Sequence, residues 1–172
     1  RTGVVARVRL AELGEGVRPH EKTFDGPKAD RLNLLRATGT NFGQVFALYA
    51  DPSGDVDRIL EKAKAAPSLL DVRGRENVRH RLWALTDESQ ISAIRSALAP
   101  AELFIADGHH RYETALAYSR EHPESNAAQY RMMTLVGMSN EGLIILPVHR
   151  LLRGIAGFDA RAFLEKLEGD FA

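Results

Sequence analysis

Two pairs of strand-like runs in this chain are each separated by only four residues, and this spacing restricts the available folds more than any other feature. Ser68–Arg73 and Val78–Leu85 flank Gly74-Arg75-Glu76-Asn77, while Met132–Met138 and Leu143–Val148 flank Ser139-Asn140-Glu141-Gly142. A connection that short closes an antiparallel hairpin. It cannot carry the chain back to begin a parallel strand, which needs about a dozen residues or more. A regular βαβ wind is therefore disfavoured. The remaining runs alternate irregularly between strand and helix, so the fold class expected is α+β, a mixed sheet with flanking helices.

Val4–Leu10 places apolar residues against arginines and predicts a strand with one buried face. Gln44–Ala50 predicts a second strand. Leu103–Ala106, bounded by Pro100 and Gly108, predicts a short buried one. Residues 14–23 read as a loop. Helices are expected after Gly26-Pro27, with Leu32, Leu35 and Arg36 at helical spacing and Gly39 as the stop. Asp55–Ala66 carries Val56, Ile59, Leu60 and Ala63 on one face and ends at Pro67. Thr86-Asp87-Glu88 supplies capping chemistry for Ile91–Leu98. Tyr112–Arg120 and a run begun by Phe158-Asp159 are further helices. Trp83 is expected in the core, and Arg79-His80-Arg81 on an exposed strand face.

Composition narrows the function classes. With 172 residues and 44% apolar content the chain is long enough for one compact domain spanning 1–172, and residues 55–98 read as an inserted helix–hairpin subdomain. The 23 basic and 23 acidic residues cancel, which argues against nucleic acid or an anionic membrane surface as partner. There is no cysteine, so disulfides, thiolate nucleophiles and zinc–cysteine sites are excluded. No apolar run approaches the roughly 20 residues of a membrane span. The first residues are not a secretion signal, which makes a cytoplasmic protein the expectation. The chain starts without methionine and almost at once in a strand, as a piece of a longer protein would. Sheet edges left open in such a piece would permit a homodimer.

The chemistry concentrates in Ile105-Ala106-Asp107-Gly108-His109-His110-Arg111-Tyr112-Glu113. A buried strand ends there, a glycine turns the chain, and three basic side chains open a helix. Each part suits a phosphate. A helix N-terminus offers unpaired N–H groups and a positive dipole end. Gly108 allows close backbone approach. Arg111 can fork phosphate oxygens. His109 and His110 can donate hydrogen bonds or hold a proton near neutral pH. Asp107 serves either as the helix cap or as a carboxylate for a magnesium ion. Adjacent histidines point in different directions on a helix, so they are poor joint ligands for one metal, and a metal site needs partners from elsewhere.

The run ADGHHRYETA, with VRPHEKTFDGPKADRLNLLRAT upstream and LPVHR downstream, closely resembles a family of uncharacterised proteins, domain of unknown function 1015, over nearly the whole chain. Members of that family are longer, so the resemblance implies missing flanks on both sides. Asp107–Arg111 also resembles, more remotely, the signature of the ParB/sulfiredoxin superfamily. That resemblance implies a small mixed α+β core binding nucleotide phosphates at a helix N-terminus. Sulfiredoxin's reactive cysteine falls where this chain has His109, so its chemistry is impossible here. Tyr112 and Glu113 follow the motif where ParB continues with arginines. The ADP-dependent kinase of free serine shares the Asp-Gly-His-His-Arg run.

The resemblance to that kinase implies phosphoryl transfer to or from a small hydroxyl compound. His109, His110 and Arg111 would lie at the phosphates of ADP or ATP, with magnesium as cofactor and a glutamate from an upstream loop as base. The upstream candidate is Glu21, within Arg18-Pro19-His20-Glu21-Lys22-Thr23, where Arg18 and His20 would keep its carboxylate ionised. The insertion at 55–98 accounts for the long separation from Asp107. His149 and Arg150, after Pro147, are a further basic pair for the pocket. The first reading is thus a magnesium-dependent small-molecule kinase or phosphohydrolase, and two rivals stand beside it. One is a nucleotide sensor without turnover. The other is a metal-dependent hydrolase using His20, His109, His110 and His149 with Asp107.

Overall fold

The computed structural model describes residues 1–146, 151 and 153–167. Its main element is a five-stranded mixed sheet built from β1 (Val4–Arg9), β2 (Val17–Arg18), β3 (Val45–Tyr49), β6 (Leu103–Asp107) and β7 (Tyr130–Gly137), in the order β1-β7-β3-β6-β2. β7 runs antiparallel to β1 and parallel to β3; β6 runs antiparallel to β3 and parallel to β2. A separate hairpin pairs β4 (Leu70–Arg73) with β5 (Arg79–Leu82). The helices are α1 (Asp25–Thr38), α2 (Asp55–Ala63), α3 (Glu88–Leu98), α4 (His109–Glu121) and α5 (Ala160–Leu167). The architecture is α+β, as the hairpin spacing implied.

Strand alternation decides where the core lies. In β3, Val45, Ala47 and Tyr49 are fully buried, while Phe46 and Leu48 between them are only half-buried. Leu103 and Ile105 of β6 and Met133 and Leu135 of β7 turn the same way. Val56 and Leu60 of α2, Ile94 of α3 and Tyr112 of α4 join them in one cluster. Burial of side chains this size contributes roughly 1.5–3 kcal/mol each. In β1 the register sets Val4, Ala6 and Val8 opposite Leu135, Met133 and Arg131, leaving Val5, Arg7 and Arg9 outward.

Most expected elements are present. α1 begins at Asp25 rather than after Pro27, because proline fits a helix's first turn, where no intrahelical donor is needed. It ends at Gly39, which takes the left-handed conformation (φ 59°) and donates to the Leu35 carbonyl. Asp87 caps α3 by accepting from the Ser89 and Gln90 amides.

Three expectations need correction. The stretch read as a loop contains β2, whose Val17 is buried against Leu103. Residues 143–146 form no strand, and Ile145 is 96% exposed. The cause is topological: β7 already has β1 on one side and β3 on the other, so no edge is left for a returning hairpin partner. Val148 lies outside the described residues. Trp83 is half-buried beside the hairpin, outside the core cluster, with its indole N–H donating to the Ala66 carbonyl. Among the described residues no helix is long and apolar enough to cross a membrane.

Candidate functional site

The core brings β6 to an abrupt end. Ile105 is buried at its centre, Asp107 is its last residue, and Gly108 reverses direction at φ 96° to become the N-cap of α4. A side chain at Gly108 would meet the Arg111 guanidinium, whose nitrogens lie 2.8 and 2.9 Å from where a Cβ would stand. Among the described residues no side chain caps α4, and no acidic residue occupies its first turn, so the positive end of this helix is not neutralised from within. Tyr112, fully buried, fixes the helix to the sheet. Its hydroxyl accepts from the Ala11 amide at 3.0 Å and donates to the Ala11 carbonyl at 2.7 Å.

The first turn of α4 holds the loop at residues 20–24. His109 Nε2 accepts the His20 amide at 3.2 Å, and His110 Nε2 accepts the Phe24 amide at 3.2 Å. One turn on, the Glu113 carboxylate takes the Thr23 hydroxyl at 2.8 Å and the Lys28 ammonium at 3.1 Å. His110 and Glu113, three apart on one helix face, therefore act as a clamp. What they hold in place is the segment that follows Glu21.

Glu21 Oε2 lies 3.6 Å from Nδ1 of His109, a residue only 3% exposed. Burial pushes the His109 pKa down, and neighbouring His20 adds to this, against the opposing pull of Glu21, Asp107 and Glu113. The neutral ring has one proton to place. Because Nε2 accepts from the His20 amide, that proton is on Nδ1, the nitrogen 3.6 Å from the Glu21 carboxylate. His20 packs edge-on against His109 at 4.5 Å between ring centroids, and its Nδ1 bonds to the Ile105 carbonyl at 2.7 Å. One ligand atom from each of His20, Glu21 and His109 lies within 4.8 Å of the others, so these three make a candidate metal cluster.

A family model described as "Protein of unknown function (DUF1015)" matches residues 1–172. The chain belongs to the DUF1015 family. No curated protein and no solved structure matches it. The functional reading of this DUF1015 chain therefore rests on its own residues.

Of the residues singled out in the sequence, Glu21, His20, His109 and Gly108 converge, with His110 as the clamp beside them. Asp107 and Arg111 are engaged with each other: Arg111 Nη2 donates to Asp107 Oδ2 at 2.7 Å across one helical turn. Asp107 is thus not the helix cap. Arg18 does not flank Glu21; its guanidinium forks Glu102 at 2.6 and 2.9 Å. His149 and Arg150 lie outside the described residues. Sequence reasoning did not single out Thr23, Lys28 or the Tyr112 hydroxyl. The i, i+3 spacing of His110 and Glu113 was the available signal for the clamp.

Proposed function

We propose that this domain binds a phosphorylated small molecule at the N-terminus of α4 and transfers its phosphoryl group, with Glu21 as the base. The observation that carries the reading is Glu21 beside the buried, neutral His109 at the mouth of an uncapped helix. The helix end and Gly108 receive phosphate oxygens through backbone N–H groups. The His109 Nδ1–H orients the Glu21 carboxylate. An acceptor hydroxyl attacks the terminal phosphorus, its proton passes to Glu21, and the phosphorus–oxygen bond to the leaving nucleotide breaks. Positioning and charge neutralisation supply most of such catalysis. The ParB/sulfiredoxin-type core and the likeness to the serine kinase belong to this proposal, as do ADP or ATP as the nucleotide. Magnesium belongs to it too: the exposed Asp107 carboxylate, paired here with Arg111, would hold the ion, which would neutralise charge on the phosphates.

Calorimetric titration of ADP, ATP and CTP, together with phosphate-release assays, tests the reading. Glu21→Gln is expected to lower turnover roughly 10²–10⁴-fold while nucleotide affinity stays within a few-fold. An unchanged rate removes Glu21 from the mechanism. Binding without consumption by the wild type makes the domain a sensor.

The compactness of His20, Glu21 and His109 favours a second reading, a metal-dependent hydrolase. The tautomer opposes it, since the His109 nitrogen facing Glu21 carries the proton. Stoichiometric Zn²⁺ uptake, abolished by His20→Ala and by His109→Ala, would favour the hydrolase over the phosphotransferase.

A further inference from the structure

A second candidate site, a cavity of about 200 Å³ lined by neither Glu21 nor His109, lies between α1, the 40–43 connector, α4 and β7. Arg31, Arg111 and Arg131 line it, and among the described residues no carboxylate does. Arg131 is 4% exposed, on the inward face of β7 opposite Val8. Its Nη2 donates to the Gly43 carbonyl, but its Nε–H is buried without a partner. The Nε–H of Arg111, the hydroxyl of Thr114 (5% exposed) and Oδ1 of Asn41 are also buried and unpartnered. All four of these groups belong to residues lining the one cavity.

Such an arrangement is costly when left as it stands. A buried donor without an acceptor carries its full desolvation penalty, and a buried cation needs a counter-charge. Arg131 has none. Burial and then the charge of Arg111 depress its pKa to about 10, so at neutral pH it is still a cation. Among the described residues the only acid on either inner arginine is Asp107, which takes one nitrogen of Arg111 and leaves its Nε–H without a partner. Two donors from arginine and one from threonine suit an oxyanion. Leu34, Leu35 and Phe42 supply an apolar wall.

We propose that this cavity is a binding site for the oxyanion group of a small molecule, a carboxylate or a phosphate, held by Arg111, Arg131 and Thr114 with its apolar remainder against Leu34 and Phe42. The site is distinct from the Glu21–His109 face and shares only Arg111 with the phosphoryl-transfer reading. It holds whether or not Glu21 is a base.

The test follows the arginine Nε–H resonances of the whole chain by NMR while inorganic phosphate or propionate is added. Arg131→Lys identifies the Arg131 signal. The expected result is a saturable shift of the Arg111 and Arg131 signals with at least one probe. Phosphate alone acting assigns the phosphate chemistry, and propionate alone the carboxylate. Arg131→Met is expected to weaken binding at least about ten-fold. Since that variant also empties a buried position, Asn41→Asp provides a second arm: it places a carboxylate among the arginines, and is expected to raise the melting temperature and abolish the probe response. No shift with either probe, or a response that survives Asn41→Asp, overturns the proposal.

Discussion

Arg79-His80-Arg81 and His109-His110-Arg111 are nearly the same basic triplet, yet the fold treats them in opposite ways. The first lies on β5, every residue of which is exposed. Its partners come from its own hairpin: Arg79 forks Asp71 on β4, and Arg81 lies over the Trp83 ring at 5.1 Å. The second opens α4 at the end of a buried strand, and His109 and His110 receive amides from residues 20 and 24, far away in sequence. Side-chain chemistry is shared. What differs is whether the topology delivers a second segment to the triplet. β6 is flanked by β3 and β2, so the chain leaving β2 must pass the N-terminus of α4, whereas the hairpin pairs only with itself.

The largest expected contrast between the two regions is in the histidines. His109→Ala leaves the His20 amide without its acceptor and opens a void where a buried ring stood. It is expected to cost about 2–4 kcal/mol in urea denaturation. His80→Ala, on the exposed hairpin, is expected to fall within about 0.5 kcal/mol of wild type. Similar losses at both positions would break the distinction drawn between the triplets.

A smaller contrast lies in the glycines that precede them. Gly108 has φ 96°, and a Cβ there would meet the Arg111 guanidinium at 2.8 Å, so Gly108→Ala is expected to cost about 1–2 kcal/mol. Gly74 has φ −83°, a conformation open to any residue, and its nearest obstacle is the exposed His80 ring at 3.1 Å. Gly74→Ala is expected to stay within about 0.5 kcal/mol of wild type. Gly108→Asn sharpens the comparison. Asparagine tolerates the left-handed region better than alanine, so a loss equal to that of Gly108→Ala would assign the cost to the guanidinium contact rather than to the backbone.

The strand–glycine–helix turn was legible because Gly108 and the apolar run before it follow local rules. The α+β class was legible from hairpin spacing. The missing strand at 143–146 was not, because local apolar pattern does not reveal that β7 is already flanked on both sides. The same limit applied at the site. Glu21 is read as a carboxylate in a polar loop flanked by Arg18 and His20; His20 does lie in its cluster, but the parallel pairing of β2 with β6 hands Arg18 to Glu102. Arg131 left a signal that went unused. The inward parity of Met133 and Leu135, carried two residues back, lands on an arginine. A cation on the buried face of a central strand is the sequence trace of the second cavity.

The smallest expected effect is a pH dependence that should belong to the HHR triplet through His109. Burial, reinforced by His20, holds the His109 pKa below the ordinary 6.5, against the pull of Glu21, Asp107 and Glu113. Above that value the imidazole is neutral in both folded and unfolded chains, and the stability associated with it is fully present. As pH falls below about 6.5, the unfolded chain takes up a proton that the fold still refuses, so stability drops until the folded ring is protonated as well. Urea midpoints at about pH 7.5 and about pH 5.5 measure the drop directly. His109→Gln keeps a side-chain oxygen able to accept the His20 amide but has no proton to gain. The variant is expected to lose less stability than wild type over this interval, even though it begins from a lower value. Equal losses in the two proteins would mean that the buried ring is not the group refusing the proton, and the neutral, Nδ1-protonated state from which Glu21 derives its orientation would have to be abandoned.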